Sequence, residues 1–481
     1  MKKYYTLLLA LVVFKTGIGQ GYQVTLNTPD YKSGITYLTY YMGSNFNVAD
    51  SAAISNKGTA VFKGSTKLPP GIYAVFLPGN RQRAEFLIDK EQVISITVDS
   101  TDLINKTVVT GSKENILYEQ YQKFAASKGR QIQTERNAYL SSQTKEDSLL
   151  HEKNYNQYNR QLNEYREGII KNQPNSMMAA LLKAMKEPPV PITIPVTKQD
   201  SLNNYYEYKS HYWDGITFMD DRIIRTPFFL RKLERYYREV ISPAADSIIR
   251  DVDYKLLLAR SAPEMYKFLL NWLTDEYINP KYMGQDAVFV HLFEKYHSKG
   301  LTKWLNESQL DAISRRAYML MSNLIGDKAA DLEMLDTDNK PSSLYNVQAD
   351  YTVVCFWDPN CGHCKEVVPK LDSVYKAGWK NHNVKIFGVL TPDGKDANVM
   401  PAWKDFISSR GLGEWVHVYQ TKETEAKNVA EQRPSFRQLY DVTMTPTLFL
   451  LDKEKRIIAK KLTWEQLNDL LEVKWKSPSS N

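Results

Sequence analysis

The sequence contains little cysteine, with three such residues among 481. Disulfide-rich small domains contain many more cysteines for their length, so we do not expect disulfides to stabilise the fold of this chain generally. After the first twenty residues it also lacks any apolar run of about 18 residues, the minimum for a membrane-spanning helix. We therefore expect a mature chain that does not span a membrane.

The sequence also lacks a long basic block. Lys and Arg number 62 against 55 Asp and Glu, a net charge of +7 that is spread along the whole chain. Nucleic-acid-binding domains concentrate basic residues on one surface, so we expect no nucleic acid as a partner. A hydrophobic content of 43% and this length favour a globular protein of several domains over a disordered chain.

The first twenty residues have the pattern of an export signal. Lys2 and Lys3 precede an apolar run from Leu7 to Phe14, and the small residues Gly17 and Gly19 follow. This pattern is typical of a cleavable secretory signal. We therefore assign residues 1–20 as a signal peptide and expect an exported, periplasmic protein.

The rest of the chain contains three regions that differ in pattern. Residues 21–112 contain short alternating segments separated by Pro, Gly and Asn, which predict a small N-terminal β-sandwich. Residues 113–325 have apolar residues at helical spacing, which predict a central α-helical domain. Within it, the polar segment Leu140–Arg166 is either one long exposed helix or partly mobile. Residues 326–481 alternate strands with helices, which predicts an α/β fold.

Two of the three cysteines form a Cys-x-x-Cys motif, Cys361-Gly362-His363-Cys364. It follows a predicted strand, Thr352–Phe356, and begins a predicted helix. A helix N-terminus stabilises an anion, and the thiolate is the nucleophile of disulfide exchange. We expect Cys361 to be the exposed nucleophile and Cys364 the resolving thiol one turn later, with Gly362 and His363 adjusting strain and charge.

This segment resembles the thioredoxin fold, and within it the exported TlpA/ResA-like thiol–disulfide oxidoreductases. Trp357 matches a Trp before that motif, Pro369 matches the helix-kinking proline, and Thr445-Pro446 matches the cis-proline loop that holds substrate backbone. A hairpin over Leu335–Lys340 is also similar, with Asn339 where Gly is common. The order of the three regions resembles multidomain proteins of the Bacteroidetes envelope.

Two positions depart from the family pattern. Cys355 stands where thioredoxins commonly place a buried acid that relays protons, and a thiol performs that task less well, so protons would reach Cys364 through water. Val367 stands where TlpA/ResA-like proteins often have Glu. Glu366 is one position away, which rotates a helical side chain by about 100°, so we do not assign it the family role.

A zinc site is the main structural alternative for the motif. Structural zinc sites use four ligands, and the chain has no second cysteine pair. We therefore expect no metal and no cofactor other than a Cys361–Cys364 disulfide.

The resemblance implies a periplasmic thiol–disulfide oxidoreductase that exchanges disulfides with exported proteins. It further implies reduction as the usual direction, fed by a membrane thiol carrier, whereas the Gly362-His363 dipeptide favours a more oxidising potential. The alternative is an envelope binding or scaffold protein whose β and helical domains bind a peptide, glycan or partner. The Tyr-rich helical domain could form a homodimer or position substrates.

Overall fold

The computed structural model of the chain describes residues 21–79, 82–191, 194–394 and 399–476. The predicted signal peptide, residues 1–20, lies outside these ranges. The chain forms two compact units, one comprising the chain up to Ile241 with Lys255–Phe268, the other Ser242–Tyr254 with the chain from Leu269 onwards. Both units therefore contain part of the helical segment. The domain boundaries after residues 112 and 325 stay predictions.

The N-terminal region consists of eight strands and a single-turn helix. These are β1 (Tyr22–Asn27), β2 (Ile35–Met42), β3 (Asn45–Ala53), β4 (Thr59–Gly64), β5 (Gly71–Phe76), β6 (Arg83–Ile88), β7 (Val93–Thr97), α1 (Leu103–Lys106) and β8 (Val108–Thr110). They form two four-stranded sheets, in the orders β4-β1-β7-β8 and β3-β2-β5-β6. Alternate side chains from both sheets share one core, for example Val24 and Leu26 of β1 with Val75 of β5. This arrangement confirms the predicted β-sandwich.

A helical region follows, as predicted. Its helices are α2 (Lys113–Ser141), α3 (Lys145–Asn172), α4 (Met177–Ala184), α5 (Lys198–Ser210), α6 (Phe229–Arg235), α7 (Ala245–Leu258), α8 (Pro263–Tyr277), α9 (Asp286–Leu292) and α10 (Glu307–Met321). No helix in the described ranges is long and apolar enough to cross a membrane.

The polar segment Leu140–Arg166 is not one long helix. It spans the end of α2 and most of α3, which pack against each other along their lengths. The chain breaks at Thr144, whose hydroxyl accepts a hydrogen bond from the Asp147 N–H at 3.1 Å and caps α3. A capping threonine followed by acidic residues in the first turn favours a new helix here over continuation of the old one.

The C-terminal region has a seven-stranded sheet with helices. Its elements are β9 (Glu333–Asp336), β10 (Pro341–Ser343), β11 (Tyr351–Trp357), α11 (Gly362–Ala377), β12 (Val384–Leu390), α12 (Val399–Ser409), β13 (Val416–Tyr419), α13 (Lys422–Ala430), α14 (Phe436–Leu439), β14 (Thr447–Asp452), β15 (Ile457–Lys460) and α15 (Trp464–Lys476). The strand order is β10-β9-β13-β12-β11-β14-β15. In the centre, β11 pairs in parallel with β12 and antiparallel with β14.

The β9–β10 hairpin forms where the sequence predicts it. Asn339 lies in its turn with φ of 65°, the left-handed conformation in which Gly is most common and Asn is tolerated. Because β9 also pairs with β13, the hairpin extends the sheet on the side away from β14.

Strand β11 carries the sequence towards the Cys-x-x-Cys motif. Its side chains alternate between two buried clusters, with Val353, Cys355 and Trp357 in one and Val354 and Phe356 in the other. A strand buried on both faces is a rigid support. The motif therefore starts from a fixed point in the core.

Candidate redox-active site

The Cys-x-x-Cys motif lies between the end of β11 and the start of α11. Cys361 is the N-cap residue of α11, with extended backbone angles (φ −72°, ψ 126°), and Gly362 is the first helical residue. An N-cap side chain faces the free N–H groups of the first helical turn. The local fold thus places the Cys361 sulfur where a negative charge is most stable.

Cys361 is the partly exposed thiol of the pair. Burial alone would raise its pKa, but hydrogen bonds from the Cys364 N–H, the Thr445 side chain and the His363 N–H outweigh burial and lower the pKa. Thiolate content at neutral pH therefore increases, and the thiolate is the form that attacks disulfides.

Cys364 lies one turn further along α11 and is completely buried. Burial raises the pKa of its thiol to about 12, although the Asp358 N–H points at the sulfur from 3.5 Å and partly opposes this effect. The two thiols of the motif thus have opposite properties. Cys361 is accessible and readily ionised, whereas Cys364 is inaccessible and protonated.

The loop before β14 faces Cys361. The Thr445–Pro446 peptide bond is cis, and the Cys361 thiol donates a hydrogen bond to the Thr445 carbonyl at 3.4 Å. Both loop residues are half-buried, and the preceding Met444 has 71% of its surface exposed. The structure therefore brings Cys361, Cys364 and Thr445 together from parts of the chain more than 80 residues apart.

The other predicted residues surround the motif in different ways. Gly362 and His363 are exposed in the first turn of α11, and Pro369 lies inside the same helix. Trp357, which precedes the motif, lies in the same buried cluster as Cys364, and Cys361 packs against that cluster. The Trp357 side chain is fully buried in the core with Cys355 and lies 5.3 Å from the Phe406 ring. Alternation along β11 turns it inwards, so it packs beneath the motif and does not line the surface at Cys361.

Cys355 is buried in the same cluster as Cys364. Burial, with a smaller contribution from Cys364, raises the pKa of the Cys355 thiol well above its ordinary value. A thiol that stays protonated cannot accept the Cys364 proton.

Asp358 is a residue of the site that was not among the residues predicted from the sequence. Its buried carboxylate accepts hydrogen bonds from the Asn360 N–H at 2.8 Å and the Asp393 N–H at 3.1 Å. The first bond shapes the turn that ends at Cys361, and the second ties this turn to the loop after β12. An Asp-Pro-Asn sequence is a turn signal and could have indicated the first bond, but not the second.

Within the described ranges, no group of three or more His, Cys, Asp and Glu side chains is arranged to hold a metal ion. His417, a candidate ligand by residue type, is buried and bonds through Nε2 to the Leu412 carbonyl at 3.0 Å, and burial lowers its pKa to about 4.

Two parts of the chain match known families. Residues 325–460 match the AhpC/TSA family, and residues 22–118 match DUF4369, a domain of unknown function. A curated thioredoxin-like protein of Haemophilus influenzae is 27% identical over 124 residues, which make up 26% of this chain and 55% of the relative. The chain thus spans about half the length of this relative.

The chain is also similar to solved structures. A domain of a possible thiol-disulfide isomerase from Cytophaga hutchinsonii is 34% identical, and the match covers 32% of this chain and 94% of that domain, with a TM-score of 0.26. A thioredoxin-like protein from Bacteroides caccae is 20% identical, and the match covers 60% of this chain and 99% of that protein, with a TM-score of 0.45. The C-terminal region, residues 325–460, thus matches the AhpC/TSA family of thioredoxin-like proteins.

Proposed function

We propose that the protein is an exported thiol–disulfide oxidoreductase that acts on disulfides of other exported proteins. The observation that carries this proposal is the pairing of an accessible Cys361, whose pKa is lowered at a helix N-terminus, with a buried Cys364 whose pKa is raised. An exchange reaction needs these two thiols in that order, because the first must ionise and meet the substrate. The second thiol needs only to come within bonding distance of the sulfur of the first.

The reaction transfers two electrons from the dithiol to the substrate. The Cys361 thiolate attacks one sulfur of the substrate disulfide, forms a mixed disulfide and releases the other substrate sulfur as a thiolate. Cys364 then attacks the Cys361 sulfur and loses its proton, which passes through water to the departing substrate thiolate. This second step forms the Cys361–Cys364 disulfide, releases the second substrate thiol and leaves the protein oxidised by two electrons.

The loop at Thr445 and Pro446 would hold the substrate beside Cys361. Because the Thr445 carbonyl lies 3.4 Å from the Cys361 sulfur, a peptide that presents a disulfide to Cys361 must lie along this loop. Thr445 and Pro446 therefore serve as substrate-binding residues in this proposal. Gly362, His363 and Pro369 act on the thiols through the conformation and charge of α11.

The proposed direction is reduction. The groups that lower the pKa of Cys361 are hydrogen-bond donors without a full charge, and burial opposes them. A full positive charge beside the thiolate would stabilise it further and favour a more oxidising potential. A membrane thiol carrier would return electrons to the Cys361–Cys364 disulfide, and the export pattern of residues 1–20 would place the reaction in the periplasm.

The test of this function uses Cys364→Ala, which removes the resolving thiol. We expect the reduced variant to form a stable mixed disulfide with a disulfide-containing protein such as insulin, seen as a higher band on a non-reducing gel that disappears with dithiothreitol. The first attack still occurs because Cys361 is unchanged. Release of the substrate fails because no second thiol can reach the Cys361 sulfur.

Two further variants are the controls. Cys355→Ala removes the other buried thiol and should form no stable adduct, since Cys364 still resolves it. Cys361→Ser combined with Cys364→Ala should also form none. If Cys364→Ala gave no adduct, or gave no more than Cys355→Ala, the assignment of the two thiols would be wrong and a binding or scaffold role would be favoured.

A further inference from the structure

The loop that faces Cys361 begins at a buried carboxylate. Asp441 follows α14, precedes Pro446 by five residues and has no exposed surface. Its backbone has a φ of 47°, in the left-handed region, so the chain changes direction there. The position of this residue therefore decides where the loop towards Thr445 starts.

The partners of Asp441 come from outside the loop. Arg316 of α10 donates from Nη1 to Oδ1 at 2.6 Å, and Lys461, directly after β15, binds Oδ2. Burial alone would raise the pKa of Asp441, but these two cations hold it below its ordinary value. Asp441 is thus a charged anchor between the helical segment and the sheet.

The last residue of α14, Leu439, which lies two positions before Asp441, also bonds to the helical segment. Asn323, completely buried and two residues beyond α10, donates from Nδ2 to the Leu439 carbonyl at 3.0 Å. Arg316 itself is oriented by a second bond, from Nε to the Ile278 carbonyl at 3.2 Å. Side chains from the α10 region therefore form hydrogen bonds on both sides of the turn at which the loop begins.

Between Asp441 and the residues that face Cys361, the loop makes few hydrogen bonds in the structure. Val442 donates to the Arg437 carbonyl at 2.8 Å and packs in the core, whereas Thr443 and Met444 are exposed. The Thr445 carbonyl then accepts from the Cys361 thiol at 3.4 Å, and at the far end the Thr447 hydroxyl donates to the Met444 carbonyl at 2.6 Å. Displacement of the Asp441 anchor would consequently move the exposed residues that face substrate.

We propose that Arg316 is a positioning residue for the redox site, which acts through Asp441 to hold residues 443–446 opposite Cys361. This inference rests on the proposed function in one respect, that substrate backbone binds along this loop. It gives the last part of the helical segment a role in disulfide exchange. Arg316 touches neither thiol, so its effect should fall on substrate binding and leave the reactivity of Cys361 unchanged.

The experiment compares Arg316→Met with Arg315→Met, its neighbour on the same helix. Arg315 has 73% of its side chain exposed and pairs with Asp311 one turn away, so its loss should have little effect. For Arg316→Met we expect KM for insulin reduction to rise about tenfold, because misplacing a substrate-holding group weakens productive binding. The rate of Cys361 alkylation by iodoacetamide should stay at the wild-type value.

A second measurement does not depend on turnover. Amide hydrogen exchange in residues 442–445 should be faster in Arg316→Met than in Arg315→Met, because the loop has lost one of its anchors. Arg316→Lys keeps a cation near Asp441 without the planar fork of Arg and should lie between the two. Lys461 still pairs with Asp441 in each variant, which favours retention of the fold.

The outcomes distinguish the positioning role of Arg316 from the proposed oxidoreductase function. If the wild-type protein reduces insulin and both Met variants match it in KM and in exchange of residues 442–445, the positioning role is overturned. If Arg316→Met also slowed alkylation of Cys361, the residue would be acting on the thiol or on the fold, and the inference would again be wrong. Failure of the wild-type protein to reduce insulin would instead contradict the proposed function, while faster exchange would still support the anchoring of the loop.

Discussion

Replacing Cys361 by Ser is expected to lower kcat/KM for protein disulfide reduction by about 10³-fold or more, because the variant loses the attacking group itself. The N–H groups of α11 can stabilise a thiolate at this position, but a serine hydroxyl stays protonated at neutral pH and is a poor nucleophile towards sulfur. Cys364 cannot substitute for it, since it is buried and its pKa is raised to about 12.

The measurement is insulin reduction with dithiothreitol as electron donor, corrected for the reaction of dithiothreitol alone. Cys355→Ala is the matched control, because it removes a thiol of the same core that takes no part in exchange, and it should stay close to the wild-type rate. Activity in Cys361→Ser above about one tenth of wild type would be incompatible with Cys361 as the nucleophile.

The second large effect concerns stability and a buried ion pair. Lys460 at the end of β15 binds the Asp286 carboxylate at the start of α9, and their side chains are only 6% and 4% exposed. Lys460 also donates to the backbone and side-chain oxygens of Asn323 at 2.6 and 2.7 Å. Lys460→Met should lower the free energy of unfolding by about 3–5 kcal/mol, because it leaves a buried carboxylate without its counter-charge.

Urea unfolding followed by circular dichroism would measure this loss. Lys453→Met is the control, since Lys453 is 72% exposed beside Glu454 at 3.6 Å and should change stability by less than about 1 kcal/mol. Adding Asp286→Leu to Lys460→Met removes the unpaired charge and should recover much of the loss. Equal stability of Lys460→Met and Lys453→Met would mean that the pair contributes little.

Local features of the redox site could be predicted from the sequence because local rules fix them. Pattern alone predicts a strand over Thr352–Phe356 and a helix over Cys361–Lys376, and the structure has them at Tyr351–Trp357 and Gly362–Ala377. The same holds for the β9–β10 hairpin, where Asn339 at positive φ stands in for Gly. The resemblance of Thr445-Pro446 to the family's cis-proline loop further predicted which residues hold the substrate backbone.

Features that depend on distant contacts could not be predicted in this way. The Asp358 carboxylate meets an N–H group 35 residues away, and Arg316 meets Asp441 across 125 residues. No periodicity or spacing in the sequence indicates such pairs. Trp357 shows a subtler limit, because alternation predicts that its side chain shares a face with Cys355 but not which face of β11 lies beneath the motif.

The reduction potential of the Cys361–Cys364 pair would show directly whether these two thiols form a redox-active pair. The protein would be equilibrated in dithiothreitol and glutathione buffers of known potential, and the fraction of dithiol would be read by alkylation and mass spectrometry. We expect one two-electron transition confined to this pair, near the thioredoxin value of about −270 mV. A pair that stays in the dithiol form across all buffers would contradict a redox function for this site.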